Sequence, residues 1–197
     1  MTMFFLIRHA SHFGFGEFLT GRSGAQLNEK GTAQARNLAL KLKAERLACV
    51  QASPRERARE TAEYVAQTCG RTPVEISSDL DEVDFGSWSG QAFTALANDP
   101  TWQRWNEQRS EARTPAGECM LDVQRRVVDH IARLASEMRG EAVALVTHAE
   151  VIRAALLHAL ELSLDHWSKF EIGPASITKV AQEKWGLRVI AVNEGAS

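Results

Sequence analysis

Apolar and polar positions along the chain alternate between two kinds of pattern. Three short runs are apolar on consecutive positions: Met3-Phe-Phe-Leu-Ile7, Ala48-Cys-Val-Gln-Ala52 and Val143-Ala-Leu-Val-Thr147. Runs of this length, rich in β-branched or aromatic residues, predict strands buried on both faces, as in the middle of a parallel sheet. Between them apolar residues recur at helical spacing. Asn28 is a predicted N-cap for a helix to about Arg46, with Ala35, Leu38 and Leu42 on one face. Pro54 and Gly70 bracket a second helix, Val123, Val127, Ile131 and Leu134 mark a third that ends before Gly140, and Glu150 to Leu160 makes a fourth. Ile177–Val180 and Leu187–Val192 predict a closing hairpin around Lys184-Trp185-Gly186. Strand and helix alternation over 197 residues predicts an α/β fold with a mostly parallel central sheet, in one domain spanning 1–197. Only 98–119 lacks a clear pattern.

Residues just beyond the strands carry the chemistry. Arg8-His9 directly succeeds the first run and His148 the last. Ligands of open α/β sheets bind outside the carboxyl ends of the strands, so both imidazoles are expected at one crevice. The second run leads into Ser53-Pro-Arg-Glu-Arg57-Ala-Arg-Glu-Thr61. Arg57 is then in a first helical turn, where free N–H groups and the helix dipole favour an anion. Leu80-Asp-Glu82-Val-Asp-Phe-Gly86-Ser-Trp88-Ser-Gly90 sets carboxylates beside aromatic residues.

In this order, Arg8-His9-Ala10, Ser53-x3-Arg57-Ala58-x2-Thr61, Leu80-x-Glu82-x2-Phe85-Gly86-x-Trp88-x-Gly90 and Val146-Thr147-His148 resemble the signatures of the histidine phosphatase superfamily, also called phosphoglycerate mutase-like. The resemblance runs from about Met3 to Val180 and takes in Leu27-Asn-Glu-Lys-Gly31-x2-Gln34-Ala35. It implies a three-layer α/β/α fold and a metal-independent phosphomonoesterase, without a cofactor, acting on a small phosphorylated metabolite through a phosphohistidine. On matching positions it implies that His9 takes the phosphoryl group, Arg8 and Arg57 hold its oxygens, His148 completes the phosphate pocket and Glu82 protonates the leaving oxygen. Gly21 and Arg22 stand where members often touch substrate. This chain has Ala10 where glycine is usual and lacks the asparagine that many members use as a further phosphate ligand, a place open to Ser11 or His12. Mutases of the family generally carry longer insertions, which favours a phosphatase over phosphoglycerate mutase-type transfer.

The residue types suit that chemistry on their own. Phosphoryl transfer spreads negative charge over equatorial oxygens, and guanidinium forks meet it with paired bonds at any working pH. A nucleophilic imidazole has to be neutral, whereas Glu82 has to be protonated, which calls for burial and implies activity skewed to acid. Phe85 and Trp88 are candidates for its dry wall.

Composition mainly excludes. A net charge of −2 supplies no basic field for nucleic acid, and there is no apolar stretch of membrane-spanning length or signal-peptide pattern. Cys49, Cys69 and Cys119, odd in number and without metal-like spacing, read as reduced thiols of a cytoplasmic protein. Oligomeric state stays open, a homodimer among the choices. A metal hydrolase built on His9, His12 and His148 and a phosphate-binding module without turnover remain the other classes. Segment 98–119, with Trp102, Arg104, Trp105, Arg109 and Arg113, is either a core-completing cap with solvated arginines or a lid that selects substrate. His12, His130, His158 and His166 read as surface or core residues, and Arg153 as an ion-pair partner.

Overall fold

The computed structural model describes residues 1–195. One six-stranded sheet, built from β1 (Thr2–Arg8), β2 (Leu47–Ala52), β3 (Glu75–Ile76), β4 (Ala142–Thr147), β5 (Ile177–Glu183) and β6 (Gly186–Glu194), organises the chain. Its order is β3-β2-β4-β1-β5-β6; the first four strands pair in parallel, and β5 runs antiparallel to both β1 and β6. Side chains of a strand alternate between faces. Thus Phe4 and Leu6 of β1, with Val143 and Leu145 of β4, enter one core, while Phe5, Ile7, Ala144 and Val146 enter the other. Helices α1 (Glu29–Leu42) and α2 (Glu56–Cys69) cover the second face; α5 (Met120–Glu137) and α6 (Ala149–Ala159) cover the first. The outcome is a three-layer α/β/α arrangement with a mostly parallel sheet, as expected.

Register positions the chemistry. Arg8 pairs with Thr147 across β1 and β4, and Ala52 with Val146 across β2 and β4. His9, His148 and Ser53, each the first residue beyond its strand, therefore emerge side by side. The bonds His9 N–H to Thr147 O and Ser53 N–H to Val146 O, both 2.9 Å, extend the ladder to that level. Asn28 caps α1, its side chain accepting from Gly31 N–H at 2.8 Å. A Cβ on Gly31 would lie 1.7 Å from the Ser11 carbonyl oxygen, so only glycine lets α1 press against the loop after His9.

Two expectations change. The first helix stops at Leu42 rather than Arg46, because Leu42 is its last core contact and Lys43 and Ala44 face solvent in a turn. Segment 98–119 is partly helical: α3 (Phe93–Leu96) precedes it, and α4 (Pro100–Glu107) is capped by Asp99, which accepts from Thr101 N–H at 2.8 Å and from Trp88 Nε1–H at 3.0 Å, while 108–119 stays irregular. Trp105 is buried and stacks on Trp102 at 5.4 Å, with Phe85 edge-on to Trp105 at 5.5 Å. Aromatic packing holds this segment where its sequence pattern is weak. Among the described residues no helix is long and apolar enough to cross a membrane.

Candidate active site

At the carboxyl ends of β1, β2 and β4 lies a cavity of about 370 Å³ that reaches Arg8, His9, Gly21, Arg57 and Glu82. His9 stands at its floor, 3% exposed. Its Nδ1 is 2.9 Å from the Ala10 carbonyl oxygen, which can only accept, so Nδ1 carries the hydrogen. That leaves the lone pair on Nε2, which accepts from Arg57 Nε–H at 3.2 Å. Burial, then Arg57 and Arg8, holds the His9 pKa well below the ordinary value, so the ring is neutral. The Ala10 N–H donates to Thr61 Oγ1 at 3.1 Å, and that hydroxyl donates to Arg57 O at 2.7 Å. Thr61 thereby ties the His9 loop to α2. Ala10 is fully buried without the left-handed backbone that would demand glycine.

Arg57, 1% exposed, is aimed by main-chain acceptors: Nη2 donates to Gly21 O at 2.7 Å and Nη1 to Ser23 O at 3.3 Å. The same Nη2 lies 3.3 Å from His148 Nδ1, which therefore accepts, and His148 Nε2–H donates to Ser53 Oγ at 2.8 Å. Ser53 in turn donates to Asp81 Oδ1 at 3.3 Å. Desolvation, then Arg57, lowers the His148 pKa far below its usual value. Arg8 Nη1 donates to the Ile172 carbonyl. Burial lowers the Arg8 pKa to about 10, still charged at neutral pH.

The Glu82 carboxylate is 3.5 Å from His148 Nδ1 and 4.0 Å from Arg57 Nη2. Burial raises its pKa to about 7, against the opposing pull of Arg57. Phe85 lines the cavity beside it, while Trp88 is packed behind in the core. The site thus combines a neutral imidazole with a free lone pair, two guanidiniums, a second imidazole and a carboxyl group able to hold a proton near neutrality. This set is suited to a tetrahedral oxyanion.

The structure brings together Arg8, His9, Arg57, Glu82, His148 and Gly21. It does not bring Ser11 or Arg22 into the cavity. Ser11 Oγ accepts from Asn28 Nδ2 at 3.2 Å and so faces α1. The Arg22 side chain pairs with Asp81, Asp84 and Glu118, and its Nε–H donates to the Glu82 carbonyl at 2.9 Å. Arg126 reaches the same carbonyl at 3.2 Å, so the pair braces the loop that carries Glu82.

Sequence reasoning underrated several neighbours. His12, 5% exposed, lines the cavity with its ring 5.3 Å from His9; its nearness to His9 in sequence was the available signal. Arg109 is buried rather than solvated, held by Glu150 and between the rings of Trp105 and Trp167. Arg153 pairs with Glu150 as expected, yet also lines the cavity. Arg104 and Arg113 do not line it. Among the described residues no three His, Cys, Asp or Glu side chains are grouped to hold a metal ion.

Comparison with known proteins agrees with the resemblance. The chain is 29% identical over 140 residues to phosphoglycerate mutase-like protein 4 of Arabidopsis thaliana, covering 69% of this chain and 61% of that protein. It is 28% identical over 190 residues to a metal-independent phosphoserine phosphatase of the same plant, covering 94% and 79%. Mycobacterial relatives 34% identical over 164 residues are longer proteins, of which this chain spans 44%. In three dimensions the chain superimposes on YhfR of Bacillus stearothermophilus with a TM-score of 0.89 at 27% identity, covering 100% of this chain and 98% of that one. The family model described as histidine phosphatase superfamily, branch 1, matches residues 4–195, and the chain belongs to that superfamily.

Proposed function

We propose that this protein is a phosphomonoester hydrolase that works through a phosphohistidine at His9. The observation that carries the proposal is the pairing of a His9 Nε2 lone pair with a buried carboxyl of raised pKa in one cavity. In this reading Nε2 attacks phosphorus, the bond from phosphorus to the leaving oxygen breaks, and Glu82 gives that oxygen its proton. The His9 Nδ1–H bond to Ala10 O supports the positive ring that forms. Arg8 and Arg57 hold the equatorial oxygens, and Arg57 exchanges its contact with Nε2 for one to phosphate. Water then attacks the phosphohistidine, Glu82 accepts a proton from it, and inorganic phosphate leaves with His9 restored.

Three free cysteines and a metabolite-sized cavity support a cytoplasmic enzyme of small phosphorylated molecules. Positive charge comes from guanidiniums, so turnover is expected to survive a chelator. The test is phosphate release by wild type and His9→Ala, together with acid- and alkali-quenched labelling by a phosphomonoester. An alkali-stable, acid-labile phosphoenzyme present only in the wild type is expected. Turnover retained by His9→Ala would refute the proposal.

A further inference from the structure

A buried histidine outside the cavity faces two partners that it cannot satisfy together. His130 lies in α5 with 2% of its surface exposed. Gln51 Nε2 donates to Glu75 Oε2 at 2.8 Å, so the Gln51 oxygen is the atom turned to His130 Nε2, also at 2.8 Å, and Nε2 carries a hydrogen. The His130 Nδ1 is 2.8 Å from Arg133 Nη2 and 3.0 Å from Asp79 Oδ2. Arginine only donates and a carboxylate only accepts. A neutral ring therefore accepts from Arg133 and sets its lone pair against the Asp79 oxygen, whereas a protonated ring donates to Asp79 and repels Arg133.

Each displaced partner has somewhere to go. Arg133 is half-exposed, with Nη1 3.6 Å from Glu137 Oε2, and the Asp79 side chain reaches solvent. The exchange thus needs no movement of the helix. The charged groups around the ring are Asp79 from the 3-10 turn Ser78–Leu80, Glu75 behind Gln51, and Arg126, Asp129, Arg133 and Glu137 of α5 itself. Burial holds the His130 pKa below the ordinary imidazole value against the pull of Asp79, which sets the exchange on the acid side of neutrality.

Asp79 connects this exchange to the cavity. It precedes Glu82 in the same short stretch, and Arg126, one helical turn before His130, donates to the Asp79 carbonyl at 2.8 Å and to the Glu82 carbonyl at 3.2 Å. Helix α5 therefore holds the stretch at two points. Arg126 grips its main chain at any pH, and His130 grips the Asp79 side chain only when protonated.

We propose that His130 is a proton-operated positioning residue for Glu82: its protonation locks Asp79 onto α5 and steadies the loop that carries the acid. The inference rests on the hydrolase reading above, in which Glu82 protonates the leaving oxygen.

The test compares glycerol 3-phosphate, whose alkoxide needs that proton, with p-nitrophenyl phosphate, whose phenolate leaves without one. The ratio of their kcat values is read within one variant, so a folding defect cancels from it. As pH falls from about 6.5 to about 5, the ratio in the wild type is expected to rise roughly threefold to tenfold more than in His130→Gln or Asp79→Asn, the size of a modest coupling between sites. Ring titration followed by NMR supplies a readout independent of turnover. Arg133→Gln, on a half-exposed side chain, is expected to move the His130 titration to higher pH by roughly half a unit to one unit, and Asp79→Asn to move it lower. Equal ratio profiles in wild type and His130→Gln, or shifts of the same sign in Arg133→Gln and Asp79→Asn, would overturn the proposal while leaving the hydrolase reading intact. Failure of the wild type on both esters would strike the hydrolase reading, and with it the role assigned to His130.

Discussion

Replacing Glu82 by glutamine is expected to move activity and stability in opposite directions. Burial raises the Glu82 pKa from its ordinary 4.5 to about 7, so between these values the folded protein binds a proton that the unfolded chain releases. Folded stability therefore falls as pH climbs through this window, and the penalty is complete above about 7. At roughly 1.4 kcal/mol per pH unit the rise amounts to about 3 kcal/mol. Glutamine carries no charge to desolvate and can still accept from Val83 N–H, as Glu82 Oε1 does at 3.0 Å. For a chain of this size about 3 kcal/mol corresponds to a Tm gain of roughly 6–12 °C at pH 8, with little gain at pH 4. Activity moves the other way. Loss of a positioned acid costs roughly a hundred- to ten-thousand-fold on an alkyl phosphate, and far less on p-nitrophenyl phosphate, whose phenolate leaves without a proton. The assays are thermal unfolding at both pH values and kcat/KM against pH for the two esters. A gain over wild type no larger at pH 8 than at pH 4, or an alkaline fall in rate that persists in Glu82→Gln, would refute the reasoning.

Three further outcomes are set by the geometry. Ser53→Ala removes the acceptor of His148 Nε2–H, and is expected to lower kcat about tenfold and shift the pH profile, with little change in overall fold by circular dichroism. Unaltered kinetics would detach Ser53 from the site. Arg22→Gln leaves the Glu82 carbonyl to Arg126 alone and removes one partner from three carboxylates, so kcat should fall with KM nearly constant; a selective rise in KM would return Arg22 to the substrate. Gly31→Ala forces a methyl against the Ser11 carbonyl and is expected to destabilise the protein by roughly 1–3 kcal/mol, measured by denaturant unfolding.

The loop bearing Glu82 illustrates how a site depends on charges remote in sequence. Asp81 accepts from Ser53 and pairs with both Arg22 and Arg55, the Arg55 contact at 2.9 Å. Glu118 reaches Arg22 at 2.9 Å and Arg126 at 3.3 Å. Four elements of the chain are thus joined around one carbonyl, and the proposed proton donor has a braced base although it lies outside helix and strand.

Most of the frame was legible in the sequence by itself. Consecutive apolar residues in Met3–Ile7 and Val143–Thr147 mark strands buried on both faces, because only such strands need both sides dry. Caps and turn residues such as Asn28 and Gly70 bound helices by backbone chemistry that is local. The motif order placed Arg8, His9, Arg57, Glu82 and His148, since each succeeds its own strand or turn at short range. Tertiary structure alone decided the direction of side chains that local pattern does not constrain. Arg22 and Arg109 are both arginines in irregular segments, yet one braces a main-chain carbonyl and the other is buried between two tryptophans. The His9 tautomer and the raised Glu82 pKa likewise depend on the Ala10 carbonyl's direction and on how completely the surrounding layers exclude water. Strand and helix type are set by near neighbours, whereas partners, burial and protonation are set by residues that only folding brings together.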